Sequence, residues 1–338
     1  MAQNKQDKRI LKVMSLFSKK KVANSSGHSR ASIESQEHAG AVWIDAQNPT
    51  IHELEEIART FNLHSVQVHQ SLQGGQIAQM DIEDDHIFLI LHFPYLLPNE
   101  NKISTGQVSI FLGKNHLITV HDSTTPTVRK LFRQYRDDDA RDTGSPGRIL
   151  FHLIETMLRD VQTLTQGVSL ELDEIEDNVF DVRTSDAFQI GELRQKIMRL
   201  RRTLATQKNV LDQLDAVIDQ FTDEKLEVYY ESNTNMSRRL WQTVEEARET
   251  IEIYKDADFT TSTEQTNKIL AILTLLFTLS IPATILGAFY GMNVLIPGGL
   301  EAGSWTFLGP YTTFKLIIGT SILAAVLMYL YFRHKRWF

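Results

Sequence analysis

Carboxylates, amides and imidazoles are the side chains through which this sequence could do chemistry, and their spacing narrows the kind. Acidic residues gather at Asp81, Glu83, Asp84 and Asp85, at Asp137-Asp138-Asp139, and at Glu171, Asp173, Glu174, Glu176, Asp177 and Asp181. Clustered carboxylates are ligands for hard cations, although a solvated helix face or loop is the commoner reason for such a run. The 11 histidines contain no His-Glu-x-x-His and no pair four apart, and His64 and His69 read as ordinary helix or loop residues. No Gly-rich phosphate loop and no Ser/His/Asp constellation stands out, so nothing here requires catalysis and the chain does not read as an enzyme. The absence of cysteine excludes thiolate metal sites and a disulfide framework. Hard metals with oxygen ligands remain open. The last candidate is Tyr290-Gly291-Met292-Asn293, a glycine and an amide placed directly after a long uncharged run.

These groups need a scaffold, and composition gives its outline. With 338 residues, 42% of them apolar, and a net charge of −7, the chain is long enough for one or two folded units. Most charge lies before Lys268, and the sequence beyond Ile269 is almost purely apolar. The acidic balance argues against nucleic acid as a partner. Residues 1–39 read as a mobile basic tail and linker, with a surface anchor through Ile10, Val13, Met14 and Phe17 as the sharper alternative. Residues 40–145 read as an α/β domain. Its strands are expected at 41–44, 76–80, 86–93, 107–112 and 117–121, the last two forming a hairpin across Gly113 to His116, with one helix capped by Asn48 or Thr50. Residues 146–267 change to long helical periodicity. Helices are expected at 148–179, 185–221 and 234–290, the last of them on the order of 80 Å long. The fold class is therefore α+β, a small sheet flanked by helices, with long stalk helices and two C-terminal membrane spans.

The spans are residues 268–291, built on the uncharged run Ile269 to Tyr290, and 311–332, where Lys315 can snorkel to the interface. A loop at 292–310 joins them, and its only charged residue is Glu301; residues 333–338 are basic. The positive-inside rule then places both termini in the cytosol of a multi-pass protein of the plasma (inner) membrane. Two helices cannot enclose an aqueous pathway, so any conduction demands several copies.

At Tyr290-Gly291-Met292-Asn293, between two terminal spans, the sequence resembles the CorA family of magnesium transporters. Further similarity lies at Gln107-Val108-Ser109-Ile110, at 117–119, 171–180 and 193–204, and at Thr266-Asn267-Lys268. The resemblance implies a homopentameric funnel with a pore lined by the stalk helix as it continues through the membrane. It places the pore mouth on Gly291, Met292 and Asn293, polar pore rings on Asn267 and Thr284, and a hydrophobic gate on Leu270, Leu273 and Ile281, with Phe277 on the same face. Ordinary packing of the bundle is the alternative for those apolar positions. The resemblance implies no cofactor, with Mg²⁺ as the transported ion and as a possible regulatory one. Candidate ligands for regulation are Asp81, Glu83, Asp84, Asp85, Glu171, Asp173, Glu174, Asp177 and Glu231.

A ring of neutral amides suits an ion that gives up its octahedral water reluctantly, because amide oxygens bind the waters and release them. The sequence departs from the family in its external loop, where Leu295-Ile296-Pro297-Gly298-Gly299 is neutral. That leaves open a member moving Zn²⁺, Co²⁺ or Ni²⁺ with proton coupling. A non-conducting membrane scaffold is the reading from another class, and it has no use for Asn267, Thr284 and Asn293 in line.

Overall fold

A computed structural model describes residues 32–38, 41–97, 100–137, 144–179, 187–292, 297, 305–309 and 311–335. The chain divides into two compact units, one reaching to Asp256 and the other running from Ala257.

The first unit is built on a six-stranded mixed sheet. Its strands are β1 (Ser32–His38), β2 (Ala41–Gln47), β3 (Gln79–Ile82), β4 (His86–Leu96), β5 (Ile103–Gly113) and β6 (His116–His121), in spatial order β1-β2-β6-β5-β4-β3. Only the β2–β6 pairing is parallel. The expected hairpin forms with Leu112 opposite Leu117 and Ile110 opposite Thr119. β1 lies within the segment read as tail and linker; its Ser-Glu-Gln pattern is that of a polar edge strand, and it pairs with β2 along its whole length.

Helix α1 (Ile51–Phe61) starts at a capping box in which the Glu53 carboxylate accepts from the Thr50 N–H at 2.9 Å and the Thr50 hydroxyl oxygen accepts from the Glu53 N–H at 3.4 Å. Asn62 ends it in the left-handed conformation. Leu54, Ile57, Ala58 and Phe61 recur at helical spacing and bury against Val42, Ile44, Ala46, Ile118 and Val120. The short α2 (Ser65–Leu72) follows. β2 also points Trp43 and Asp45 to the opposite face, where α3 (Pro126–Asp137) lies. Trp43 stands edge-on to Phe132 and Tyr135 and donates its indole N–H to the Thr119 hydroxyl at 3.2 Å.

Asp45 is fully buried beside that tryptophan and is the centre of a polar network. Its carboxylate accepts from the Thr119 hydroxyl at 2.8 Å and from Arg129 at 2.6 Å, and it lies 3.1 Å from His121 Nε2. Burial pushes this carboxyl up, but hydrogen bonds and charge from His121 and Arg129 outweigh burial and hold it below the ordinary value. Arg129 reaches on to Glu34 of β1 at 2.9 Å, which fastens the edge strand to α3.

Three long helices follow: α4 (Pro146–Val179), α5 (Ala187–Val217) and the 64-residue α6 (Glu227–Tyr290), of which only the part up to Asp256 belongs to the first unit. α4 and α5 lie against β4. α4 meets α6 where the Tyr230 hydroxyl donates to the Gly147 carbonyl at 2.7 Å and the Tyr254 hydroxyl to Glu176 at 2.9 Å. α5 and α6 are laced by Arg194–Glu252 at 2.5 Å and Arg201–Glu245 at 2.7 Å. In the second unit α6 continues to Tyr290, and α7 (Thr312–His334) follows.

His116 titrates with folding. Burial, and then the neighbouring His86, push it down to about 4 from an ordinary 6.5. Within that window the unfolded chain takes up a proton that the folded chain refuses, so stability falls as pH falls, by about 1.4 kcal/mol per unit at most. His116→Phe keeps a ring in the site and removes the titration. Its thermal midpoint should vary less between pH 6.5 and 4 than that of the parent chain, and parallel curves would refute the assignment.

Candidate functional site

Ile269 to Tyr290 lies at the end of α6, and both this stretch and α7 are long and apolar enough to cross a hydrocarbon core. Helical hydrogen bonding satisfies most of the backbone there, as lipid requires. Even the hydroxyls turn inward along the helix: Thr278 donates to the Thr274 carbonyl at 2.7 Å and Thr284 to the Ser280 carbonyl at 3.0 Å. Each such hydroxyl keeps its oxygen lone pairs for another donor. Pro282 stands inside the helix and has no N–H to offer the Thr278 carbonyl.

At roughly 100° per residue, Asn267, Leu270, Leu273, Phe277, Ile281 and Thr284 fall on one arc of α6, and all six are exposed. Half-buried positions on the same helix are Leu275, Thr278, Leu279, Pro282, Leu286 and Tyr290, centred ~150° away. The structure thus gathers the sequence-selected polar and apolar positions on a face that the chain itself leaves open. Leu276, 60% exposed, lies on the flank between the stripes. α7 has its own covered stripe at Ile317, Ser321, Ala324, Ala325, Met328 and Phe332.

The helix ends where the motif begins. Gly291 N–H donates to the Gly287 carbonyl at 2.9 Å and Met292 N–H to the Phe289 carbonyl at 3.2 Å. The Tyr290 hydroxyl donates to the Pro297 carbonyl at 3.2 Å, tying the following turn to the helix end. Asn293 lies outside the described residues. The C-terminus of a helix carries partial negative charge, which favours a cation at this end. At the start of α7, Lys315 donates its ammonium to the Leu308 carbonyl at 3.3 Å.

The proposed regulatory ligands are scattered. Glu171 is held by the buried Lys196 at 2.6 Å. Asp81 sits on β3, whereas Glu83, Asp84 and Asp85 line a cavity of about 330 Å³ with His64 and His86. Glu83 accepts from the Gln67 amide at 3.1 Å. Asp173 and Glu174 are on α4, and the side chain of Asp177 is outside the described residues. Glu231, exposed on α6, joins Glu227 in adding to burial to push Asp215 up. Among the described residues no three of His, Asp and Glu are arranged to hold a metal ion.

An α/β unit followed by two apolar helices, one of them carrying polar groups in line along an open face, is the plan of an integral-membrane transport protein and not of an enzyme. The CorA-like Mg²⁺ transporter protein family matches residues 38–335, and the chain belongs to that family. The cobalt/magnesium transport protein CorA of Thermotoga maritima is 22% identical over 302 residues, which cover 87% of this chain and 83% of the relative. The divalent cation transporter CmaX of Pseudomonas aeruginosa is 24% identical over 244 residues, 70% of this chain and 73% of its own. The structure of the CorA magnesium transporter from Methanocaldococcus jannaschii shares the fold with a TM-score of 0.72 at 20% identity, covering 94% of this chain and 95% of that one.

Gly291 offers a direct test of the helix end. A Cβ there would stand 3.1 Å from the Gly287 carbonyl oxygen, whereas one at Gly287 meets open space in the chain. Gly291→Ala should lower the thermal midpoint relative to Gly287→Ala, which gains helix propensity of up to about 1 kcal/mol. Equal shifts in detergent-solubilised protein would show that no close approach exists at the motif.

Proposed function

We propose that several copies of this chain, five by family resemblance, arrange the open stripe of α6 around one axis as the pore of a Mg²⁺ uptake channel. The observation that carries this is the alignment of Asn267, Leu270, Leu273, Phe277, Ile281 and Thr284 on the uncovered face, leading to Gly291, Met292 and Asn293. Both termini are cytosolic in this reading, because the basic end Arg333-His334-Lys335-Arg336 opposes a loop whose one charge is Glu301. α7 stands outside, against lipid. Membrane potential drives uptake, since two charges crossing 100 mV are worth about 4.6 kcal/mol.

Neutral oxygens along the path suit a hydrated ion. The Asn293 amide and carbonyls near Gly291 hydrogen-bond the water shell without stripping it, and weak binding lets the ion leave. The second reading, proton-coupled movement of Zn²⁺, Co²⁺ or Ni²⁺, is favoured by the neutral segment Leu295 to Gly299, which offers no acidic capture site. Flux of each ion into liposomes, with and without a pH gradient, separates the two. Mg²⁺ entry independent of the pH gradient, slowed by millimolar Mg²⁺ on the cytosolic side, is the expected result; Zn²⁺ entry that follows the proton gradient would reverse the assignment. Asn293→Ala should abolish flux in an oligomer of unchanged size, and undiminished flux would remove Asn293 from the mouth.

The apolar stretch between Asn267 and Thr284 works as the gate in this proposal. Several copies of Leu270, Leu273, Phe277 and Ile281 form a sleeve that water leaves readily, and an ion cannot shed its waters against side chains without ligands. Phe277→Ser should wet the sleeve and raise resting leak at least severalfold, whereas Leu276→Ser on the flank should chiefly cost stability. Similar leak from both variants at equal expression would make the stripe a packing surface.

A further inference from the structure

The turn that leads into α7 is closed by hydrogen bonds and still leaves its bulky side chains exposed. Gly309, at φ +83°, donates its N–H to the Thr306 carbonyl at 2.9 Å. The Leu308 N–H donates to the Thr312 hydroxyl at 3.1 Å, and that hydroxyl donates to the Gly309 carbonyl at 2.6 Å. Around this frame Trp305 is 42% exposed, Leu308 54%, Phe307 72% and Tyr311 80%. Tyr311 also stands at φ 67°, a left-handed conformation that a bulky side chain adopts only at a cost. We propose that this turn is seated in the head-group layer of the phospholipid bilayer, where it fixes the depth of α7.

Lys315 selects lipid as the occupant and sets the level. It is the one charged residue from Tyr311 to Phe332, and an ammonium on a membrane span keeps to the surface because the hydrocarbon core excludes it. The same ammonium donates to the Leu308 carbonyl at 3.3 Å, so the turn lies at the level of the charge. There water and polar head groups meet acyl chains, and a surface that fits both is apolar with polar tips. Trp305 and Tyr311 carry such tips, and Phe307 and Leu308 supply the apolar body. The turn from Trp305 to Tyr311 has no charge of its own to favour bulk water. Lipid contact with the Tyr311 ring also offsets the cost of its backbone conformation. The inference rests on α7 crossing the membrane and is independent of which ion is carried.

The test uses the full-length chain in phosphatidylcholine nanodiscs. Because the protein has no native cysteine, a single spin label can be placed through Leu308→Cys, through Ile322→Cys within α7, or through Lys114→Cys on the exposed β5–β6 hairpin. The probes are dissolved oxygen, which concentrates in hydrocarbon, and a nickel chelate, which stays in water. The oxygen-to-nickel accessibility ratio at the Leu308 site should lie at least threefold below that at Ile322 and at least threefold above that at Lys114. A ratio equal to that at Lys114 places the turn in water and overturns the proposal. Exclusion of both probes from the Leu308 site means that a neighbouring copy covers the turn, and it overturns the proposal equally. A ratio at Ile322 as low as at Lys114 overturns the span itself, so the two failures are distinct. Lys315→Leu should raise the ratio at the Leu308 site at least twofold as the turn sinks, and an unchanged ratio refutes the role of Lys315 in setting depth.

Discussion

The constraint on which the rest depends is that one helix, α6, must be stable in two solvents. In the first unit its backbone bonds compete with water, and marginal helix propensity is overcome by side chains: Leu240, Val244, Ala247 and Ile251 bury one face, and Tyr230 and Tyr254 donate to α4. In the second unit there is no water to compete, and the same hydrogen-bonding pattern is obligatory. The helix can therefore be continuous across the change of solvent, although its side-chain chemistry changes completely after Lys268. A loop at that junction would leave backbone groups to be satisfied where the solvent changes.

That continuity explains the contrast between the two parts of the helix. In the first unit its neighbours are fixed by directional contacts, including the ladder Arg194–Glu252 and Arg201–Glu245. These carboxylates are exposed enough that each pair alone adds little. Their number along one seam sets register more than it sets stability. In the apolar stretch Thr278, Ser280 and Thr284 bond to their own helix, and the face bearing Leu270 to Ile281 is exposed among the described residues. That face is held only by its own helix, whereas the stretch in the first unit is held in register by the ladder.

Much of this was legible in the sequence because local chemistry and tertiary packing agree. Thr50 and Glu53 announce a capping box, and the structure has it; Gly113 to His116 announce a hairpin, and β5 and β6 pair across it. The segments that escaped had signals pointing elsewhere. α2 buries Gln67, Val68 and Ser71, a face with one apolar side chain, so periodicity could not reveal it. β1 has Ile33 as its one apolar residue, too little for an alternating pattern, and its pairing with β2 makes it a strand. α3 could have been found: Val128, Leu131, Phe132 and Tyr135 recur at helical spacing after Pro126, and all four are buried. In the spans hydropathy alone could not separate Leu276 from Phe277, since both lie in a run where every residue is apolar or hydroxylated.

The acidic clusters show why composition is a poor guide to metal sites. Glu171 binds Lys196, Glu176 accepts from Tyr254, and Glu245 and Glu252 serve the α5–α6 ladder, so carboxylates that look available in the sequence are already used by the fold. Where carboxylates do crowd, around Asp215 with Glu231 and Glu227, burial and repulsion push Asp215 up, and Arg238 opposes that rise. A carboxylate placed so relieves its charge by holding a proton more tightly and by leaning on a nearby arginine. A cation site needs the opposite arrangement, several oxygens converging from different directions with their charges kept apart until the ion arrives.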